Sequence, residues 1–276
     1  MPELPEVEVV KRGLQQEIGE NAKIIKFEFR RKDLRHKIPI SRLKKIEGES
    51  ILSIERRAKY LLFATDSAGF ISHLGMTGTW RVLEHKDDLG AHDHILLHIL
   101  TSANQTKVLV YRDPRRFGVF DYWQRKSEKL QWGGDLGPEP LLSEFNADYL
   151  FKKSRKRHTP IKTFIMDQKI VVGVGNIYAS ESLFLSGISP TKPAGKLSRV
   201  ETQRLVLNIQ QVLHKAIAAG GSSIRDFRTF HGDPGGYHLQ HFVYDRAGEQ
   251  CRKCNTTIRS KVLAGRSTFW CPGCQG

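Results

Sequence analysis

The feature that most narrows the folds open to this chain is a change of hydrophobic period across one breaker-rich stretch, Gly133-Gly134-Asp135-Leu136-Gly137-Pro138-Glu139-Pro140. Before it, apolar and polar residues alternate. Ile25, Phe27 and Phe29 interleave with Lys26, Glu28 and Arg30, the pattern of a strand with one buried face. Strand-like runs follow at 50–55, 59–65, 70–73, 79–83, 93–101, 107–111 and 119–123, punctuated by Gly69, Gly75, Gly78, Gly90 and Gly118. Many short strands with little helix between them predict a β-sandwich or barrel-like half. Beyond the breaker the period is helical. Ser198-Arg199-Val200-Glu201 has the form of a capping box, and Leu205, Ile209, Val212, Leu213, Ala216 and Ile217 share one face as far as Gly220-Gly221. Strands first and helices second make the chain α+β, and 276 residues suffice for two modest cores.

Ahead of the strands stands Met1-Pro2-Glu3-Leu4-Pro5-Glu6-Val7-Glu8. Pro5 suits the first turn of a helix, where its missing N–H costs nothing. Leu4, Val7, Val10, Leu14 and Ile18 follow at helical spacing, with Gly19 as the expected stop. A small residue at position two predicts removal of Met1, which leaves Pro2 as a secondary amine. Such an amine has an ordinary pKa of about 7.7–8.0 and condenses with a carbon at the aldehyde oxidation level to give an iminium. The positive end of the helix disfavours its protonated form, whereas Glu3 and Glu6 favour it and offer carboxylates for proton transfer. Taken alone, the stretch also reads as an ordinary N-terminal helix with a proline start.

Lys plus Arg number 44 against 29 for Asp plus Glu, a net charge of +15. An excess of this size favours a polyanionic partner, most often nucleic acid, over a merely basic surface. No apolar run is long enough to span a bilayer, and the acidic start is unlike a signal peptide, so the expectation is a cytoplasmic protein. All four cysteines lie in the tail, as Cys251-x-x-Cys254 and Cys271-x-x-Cys274. Two close pairs around a hairpin-sized spacer match a four-cysteine zinc ribbon, and disulfides are the alternative. Four thiolates close the coordination shell, so one zinc here is structural. Its hairpin carries Arg259, Lys261 and Arg266, the last beside Gly265 and placed to enter a nucleic-acid groove.

Val171-Val172-Gly173-Val174-Gly175-Asn176-Ile177-Tyr178 fails the dinucleotide fingerprint at Tyr178. It reads better as a glycine turn opening a helix, whose free N–H groups and Asn176 amide would seat a phosphate. The run 152–157 is basic and is either a solvated face or a second contact. Three places stand out in the strand half. Arg56-Arg57-Ala58-Lys59-Tyr60 starts a strand with a lysine, by itself an ordinary surface charge. His73-Leu74-Gly75-Met76-Thr77-Gly78 sets a methionine between glycines, and Asp113-Pro114-Arg115-Arg116-Phe117-Gly118 displays Arg and Phe on a turn. Exposed Met and Phe beside Arg suit insertion into a base stack.

Together these stretches resemble the bacterial formamidopyrimidine-DNA glycosylase family, 8-oxoguanine DNA glycosylases that are also AP lyases, over essentially the whole chain. The resemblance implies an N-terminal β-sandwich domain over 1–130, a linker over 131–145, a helix–two-turn–helix domain with a lesion-capping loop over 146–240, and a zinc ribbon over 241–276. It implies base excision repair of oxidised purines (8-oxoguanine, formamidopyrimidines) in double-stranded DNA, and cleavage at abasic sites, by a monomer. It implies that Pro2 attacks the sugar C1′, that Glu3 carries the proton, that Glu6 supports them, and that Lys59 supplies positive charge near the damaged nucleotide. By the same resemblance Asn176 and Arg266 clamp phosphates, His92 and Arg112 contact DNA, and Met76, Arg115 and Phe117 fill the gap left by the flipped base. Arg115 would face the orphaned cytosine. Ser222, Ser223 and Arg225 fall in the lesion-capping loop. The iminium acidifies the C2′ proton, so β- and then δ-elimination follow. Asn255 and Asp245 stand where the family usually has glycine, and 235–240 departs from its usual loop. An endonuclease VIII-like enzyme for oxidised pyrimidines is the nearest alternative, and a non-catalytic zinc-ribbon DNA-binding protein is a more distant one.

Overall fold

The computed structural model describes residues 2–124, 135–223, 229–230 and 232–276. Contacts divide the chain into two compact units, Met1–Gly134 with Gly220–Gly236, and Asp135–Ala219 with Tyr237–Gly276.

The first unit opens with α1 (Leu4–Ile18), held at its start by a Glu3–Glu6 capping box and at its end by Gly19, whose N–H reaches the Gln15 carbonyl. Leu4, Val7, Val10, Leu14 and Ile18 are all buried, as their spacing predicts. Each contributes roughly 1.5–3 kcal/mol by leaving water. The chain continues through β1 (Ala22–Phe29), the single turn α2 (Ile40–Leu43), β2 (Ser50–Arg57), β3 (Tyr60–Thr65), β4 (Gly69–His73), β5 (Thr79–Val82), β6 (Asp93–Leu100), β7 (Thr106–Arg112) and β8 (Val119–Tyr122). The strands form one antiparallel series in the order β5-β7-β6-β1-β2-β3-β4-β8.

Laid flat, that series would hold β5 and β8 roughly 34 Å apart, seven steps of about 4.8 Å. Yet the rings of Trp80 on β5 and Phe120 on β8 lie 6.1 Å apart, and Tyr111 on β7 lies 6.3 Å from Phe120. The sheet therefore folds over on itself into two layers, the expected sandwich. Phe63, Phe70, Trp80, Tyr111 and Phe120 fill the space between the layers, with α1 packed on the same core.

The second unit contains α3 (Ala147–Ser154), α4 (Ile161–Met166), α5 (Asn176–Leu185), α6 (Arg199–Ala218), β9 (Arg259–Leu263) and β10 (Arg266–Trp270). Asn146 caps α3 through Tyr149 N–H, and Ser198 and Glu201 form the expected box on α6. Neither α3 nor α4 is marked by the hydrophobic period, because eight and six residues span too few turns for a face to repeat. Of the basic run, Arg155 is a structural residue. Its guanidinium lies 3.9 Å over the Phe151 ring and donates to the Leu197 carbonyl. Asp245 and Asn255 take φ of 61° and 59°, the left-handed region that a glycine would ordinarily occupy.

Candidate functional site

In the first unit the polar residues gather at the start of α1. Pro2 is buried, and Glu3 and Glu6 are only 3 % and 2 % exposed. Glu6 spends both carboxylate oxygens on backbone: Oε2 accepts the Glu3 N–H and Oε1 the Ser222 N–H, each at 2.8 Å. One side chain thus fixes the backbone that presents Glu3 and pins segment 220–236 beside it. Ser223 Oγ accepts the Gly235 N–H at 2.7 Å and closes the base of that segment, while Phe230 packs against Gly13 of α1. Arg225 lies outside the described residues.

Lys59 sits in the turn between β2 and β3 and is 9 % exposed. The preceding residue, Ala58, has φ 55°, so the turn is tight and left-handed there. The Lys59 charge bears on His73, which pairs across the strands with Tyr60. Burial above all, with the nearby Lys59 and Arg35 charges, pushes the His73 imidazole down to about 4. Neutral at ordinary pH, it accepts the Gly75 N–H through Nδ1 at 3.0 Å and so orders the loop that follows.

That loop carries Met76, and the loop after β7 carries Arg115 and Phe117. They are braced together. Thr77 Oγ1 donates to Asp113 Oδ1 at 2.7 Å and accepts the Arg115 N–H at 3.1 Å, while Asp113 Oδ2 accepts the Gly118 N–H at 2.8 Å. Glycine is required at 75 because a Cβ there would run into the Phe117 backbone, and φ is 60°. Phe117 is 44 % exposed, with the Arg115 guanidinium 4.8 Å over its ring. His92 is exposed, and its carbonyl receives the Asp113 N–H. Arg112 lies 3.8 Å from the buried Asp93, and with Arg81, Arg115, Thr77 and Phe230 it lines a cavity of about 850 Å³.

In the second unit Asn176 is the first residue of α5, beyond Gly173 and Gly175. It is oriented by Lys162, a lysine 1 % exposed, whose Nζ donates to Asn176 Oδ1 at 2.6 Å, Ser267 O at 2.8 Å and Thr268 Oγ1 at 2.8 Å. Lys162 therefore joins the start of α5 to β10, and it shares a cavity of about 420 Å³ with Arg157, Thr163 and Arg266. A second buried side chain braces the approach to the ribbon. Glu181 accepts the N–H groups of Phe242, Val243 and Tyr244 at 2.8–3.0 Å. Burial raises its pKa against those three bonds. The sequence carries no signal for Lys162 or Glu181, since each sits at a position that a solvated helix face would equally accept.

The sulfurs of Cys251, Cys254, Cys271 and Cys274 all lie within 4.8 Å of one another. Zn–S bonds of about 2.3 Å place tetrahedral thiolates roughly 3.8 Å apart, and the Cys251–Cys274 separation is 3.9 Å. The four residues fit one zinc with no position left for substrate. Among the described residues, no helix is long and apolar enough to cross a membrane.

Three family models match the chain: the formamidopyrimidine-DNA glycosylase N-terminal domain over 1–120, the formamidopyrimidine-DNA glycosylase H2TH domain over 136–228, and a zinc finger found in FPG and IleRS over 248–276. The formamidopyrimidine-DNA glycosylase of Bdellovibrio bacteriovorus is 50 % identical over 277 residues, covering all of both chains, and that of Vibrio vulnificus is 46 % identical over 275, again covering all of both. MutM (Fpg) of Thermus thermophilus matches in structure with a TM-score of 0.87 at 35 % identity, over 100 % of this chain and 99 % of that one. A complex of Lactococcus lactis Fpg with DNA containing an abasic site matches with a TM-score of 0.88 at 35 % identity, over 99 % of each chain.

Proposed function

The chain belongs to the formamidopyrimidine-DNA glycosylase family, and from that premise we propose how its residues divide the work of excising oxidised purines and cleaving the strand. It is a DNA glycosylase of base excision repair and an AP lyase, acting on double-stranded DNA and holding one structural zinc through Cys251, Cys254, Cys271 and Cys274. The observation that carries the assignment of roles is the buried start of α1, where Pro2 is buried beside Glu3 and the Glu6 carboxylate holds the backbone N–H groups of Glu3 and Ser222.

Pro2 is the nucleophile. Its lone pair bonds to C1′ of the damaged nucleotide as the C1′–base bond breaks and its electrons leave on the base. The alkylated amine must lose one proton, and the sugar O4′ must gain one for the ring to open. Glu3, at the same helix start, takes the first and delivers the second, so a single carboxyl completes the exchange. The resulting iminium draws electrons from the C2′–H bond. Loss of that proton expels the 3′ phosphate, a second elimination expels the 5′ phosphate, and water releases the amine.

Lys59, whose charge is held in a tight turn, supplies positive charge near the damaged nucleotide and its phosphate, where it stabilises the negative charge that develops as the base departs. Asn176 and Arg266 hold phosphates on the second unit, with His92 and Arg112 as further contacts. Met76, Arg115 and Phe117 occupy the space vacated by the flipped nucleotide, Arg115 facing the orphaned base. Ser222 and Ser223 anchor the segment that covers the lesion. The protein works as a monomer in the cytoplasm, on the nucleoid.

Borohydride added during turnover on a duplex containing 8-oxoguanine reduces the iminium. The adduct is expected on Pro2 by peptide mapping, and an N-terminal tag that is not removed abolishes excision and cleavage together. An adduct on Lys59, or full activity behind a blocked N-terminus, refutes the assignment.

A further inference from the structure

Arg56, near the end of β2, joins two parts of the first unit that the chemistry uses together. Its Nε donates to Glu8 Oε2 at 3.0 Å, and its Nη1 donates to the Ala58 carbonyl at 3.0 Å. Both side chains of the ion pair are about nine-tenths buried, at 10 % and 11 % exposed. Glu8 lies one turn into α1, the helix whose start presents Pro2 and Glu3. Ala58 immediately precedes Lys59, and its φ of 55° puts a non-glycine residue in the left-handed region. The peptide between Ala58 and Lys59 sets the direction in which the Lys59 side chain leaves the backbone. The Arg56 guanidinium holds the oxygen of that peptide.

Glu8 is built to receive it. Burial works to raise its carboxyl, but Lys11, Arg56 and Arg12 together bring it below the usual carboxylate range. Lys11 Nζ lies 2.9 Å and Arg12 Nε 3.1 Å from Oε1, which leaves Oε2 to Arg56. The planar guanidinium serves the helix carboxylate and the turn carbonyl from two separate nitrogens of fixed direction, Nε and Nη1, whereas a lysine would have to bring its single nitrogen within reach of both.

We propose that Arg56 is a positioning residue for excision, setting the Lys59 ammonium in register with the amine and carboxylate at the start of α1. The inference rests on the role given to Lys59 above. A displacement of about 1 Å in such a constellation costs up to roughly a hundredfold in rate, so the effect belongs on the chemical step and not on DNA affinity.

The test is a double-mutant cycle on full-length, zinc-loaded protein. Single-turnover excision of 8-oxoguanine opposite cytosine is measured for wild type, Arg56→Lys, Lys59→Ala and the double variant. Affinity for a duplex holding a tetrahydrofuran abasic analogue and the melting temperature are measured beside it. Arg56→Lys is expected to slow excision about tenfold or more with affinity unchanged, and to add nothing in the Lys59→Ala background. Glu8→Gln, which keeps the acceptor and removes the charge, is expected to move the rate in the same direction by less, again only when Lys59 is present. Wild-type excision by Arg56→Lys, equal losses in both backgrounds, or a rate loss matched by lost affinity would each overturn the proposal. Wild-type excision by Lys59→Ala would remove the role given to Lys59 and this one with it. A slow Lys59→Ala with an additive Arg56→Lys would remove this one alone.

Discussion

Replacing Glu6 by Gln changes one atom's chemistry at the start of α1, and its cost follows from the two bonds that atom group makes. In the folded protein both carboxylate oxygens accept buried backbone N–H groups at 2.8 Å, from Glu3 and from Ser222. A hydrogen bond to a charged acceptor contributes about 1.5–3 kcal/mol. In Glu6→Gln one oxygen remains and makes a neutral bond of about 1 kcal/mol, while the new NH₂ faces the second N–H donor to donor. A buried N–H left unsatisfied costs about 1–3 kcal/mol. The weakened bond loses about 0.5–2 kcal/mol and the orphaned N–H costs about 1–3, together about 1.5–5 kcal/mol, which for a unit of this size lowers its melting temperature by about 3–20 °C. Calorimetry reads the total. Amide exchange followed by peptide mass spectrometry reads the place, with faster exchange expected in the peptides that contain Glu3 and Ser222. Excision should fall along with it, because Glu6 holds the backbone that presents Glu3. An unchanged melting temperature with unchanged exchange at both sites would show that Glu6 does not anchor this backbone.

Arg115→Ala should relax discrimination among bases opposite the lesion more than it weakens binding to undamaged duplex, since Arg115 is assigned to the orphaned base and not to a phosphate. Excision assays against all four opposite bases check this, and equal losses with each would make Arg115 a purely structural residue. Chelating the zinc should weaken DNA binding while the strand unit melts as before, because all four ligands lie in the tail; titration calorimetry and a thermal melt on the same sample decide it. The first unit should lose stability as pH falls from about 6.5 to about 4. His73 is buried neutral with a folded pKa of about 4, so in that window the unfolded chain binds a proton that the folded one refuses. His73→Gln keeps an acceptor for the Gly75 N–H, and urea melts across this range should show a shallower fall for it than for wild type.

What the sequence made legible was whatever has a local cause. The α1 face, the glycine-flanked loops and the paired cysteines each follow from spacing or from a backbone requirement within a few residues. The resemblance, and no local signal, marks Asn255 and Asp245 as standing where the family usually has glycine, and both take positive φ. The return of 220–236 to the first unit had no such cause. It is set by Glu6 reaching Ser222 and by Phe230 packing on Gly13, contacts across more than two hundred positions of chain. The burial of Lys59 was equally invisible, because a lysine at a strand start reads as a surface charge until the strands on either side are in place.

The buried charged residues beside these loops share a physical role, and among the four that follow the sequence marks only Glu6. Loops that present functional side chains leave backbone N–H and C=O groups without the partners that a helix or sheet would supply, and a buried group of that kind must be satisfied. Glu6 answers two such N–H groups, Asp113 answers Gly118 while holding Thr77, Glu181 answers three, and Lys162 answers the Ser267 carbonyl. Each is charged, buried and adjacent to a segment given a role in catalysis or DNA binding. The apolar period builds the two cores, and these side chains aim the loops. A cavity cut into the core, as by Val10→Ala, therefore draws on stability first. A swap that keeps shape but exchanges an acceptor for a donor beside a loop misdirects function at the same energetic cost. Beside a functional loop, a polar residue at a position that the apolar period leaves to solvent is therefore well placed to fix the direction of that loop.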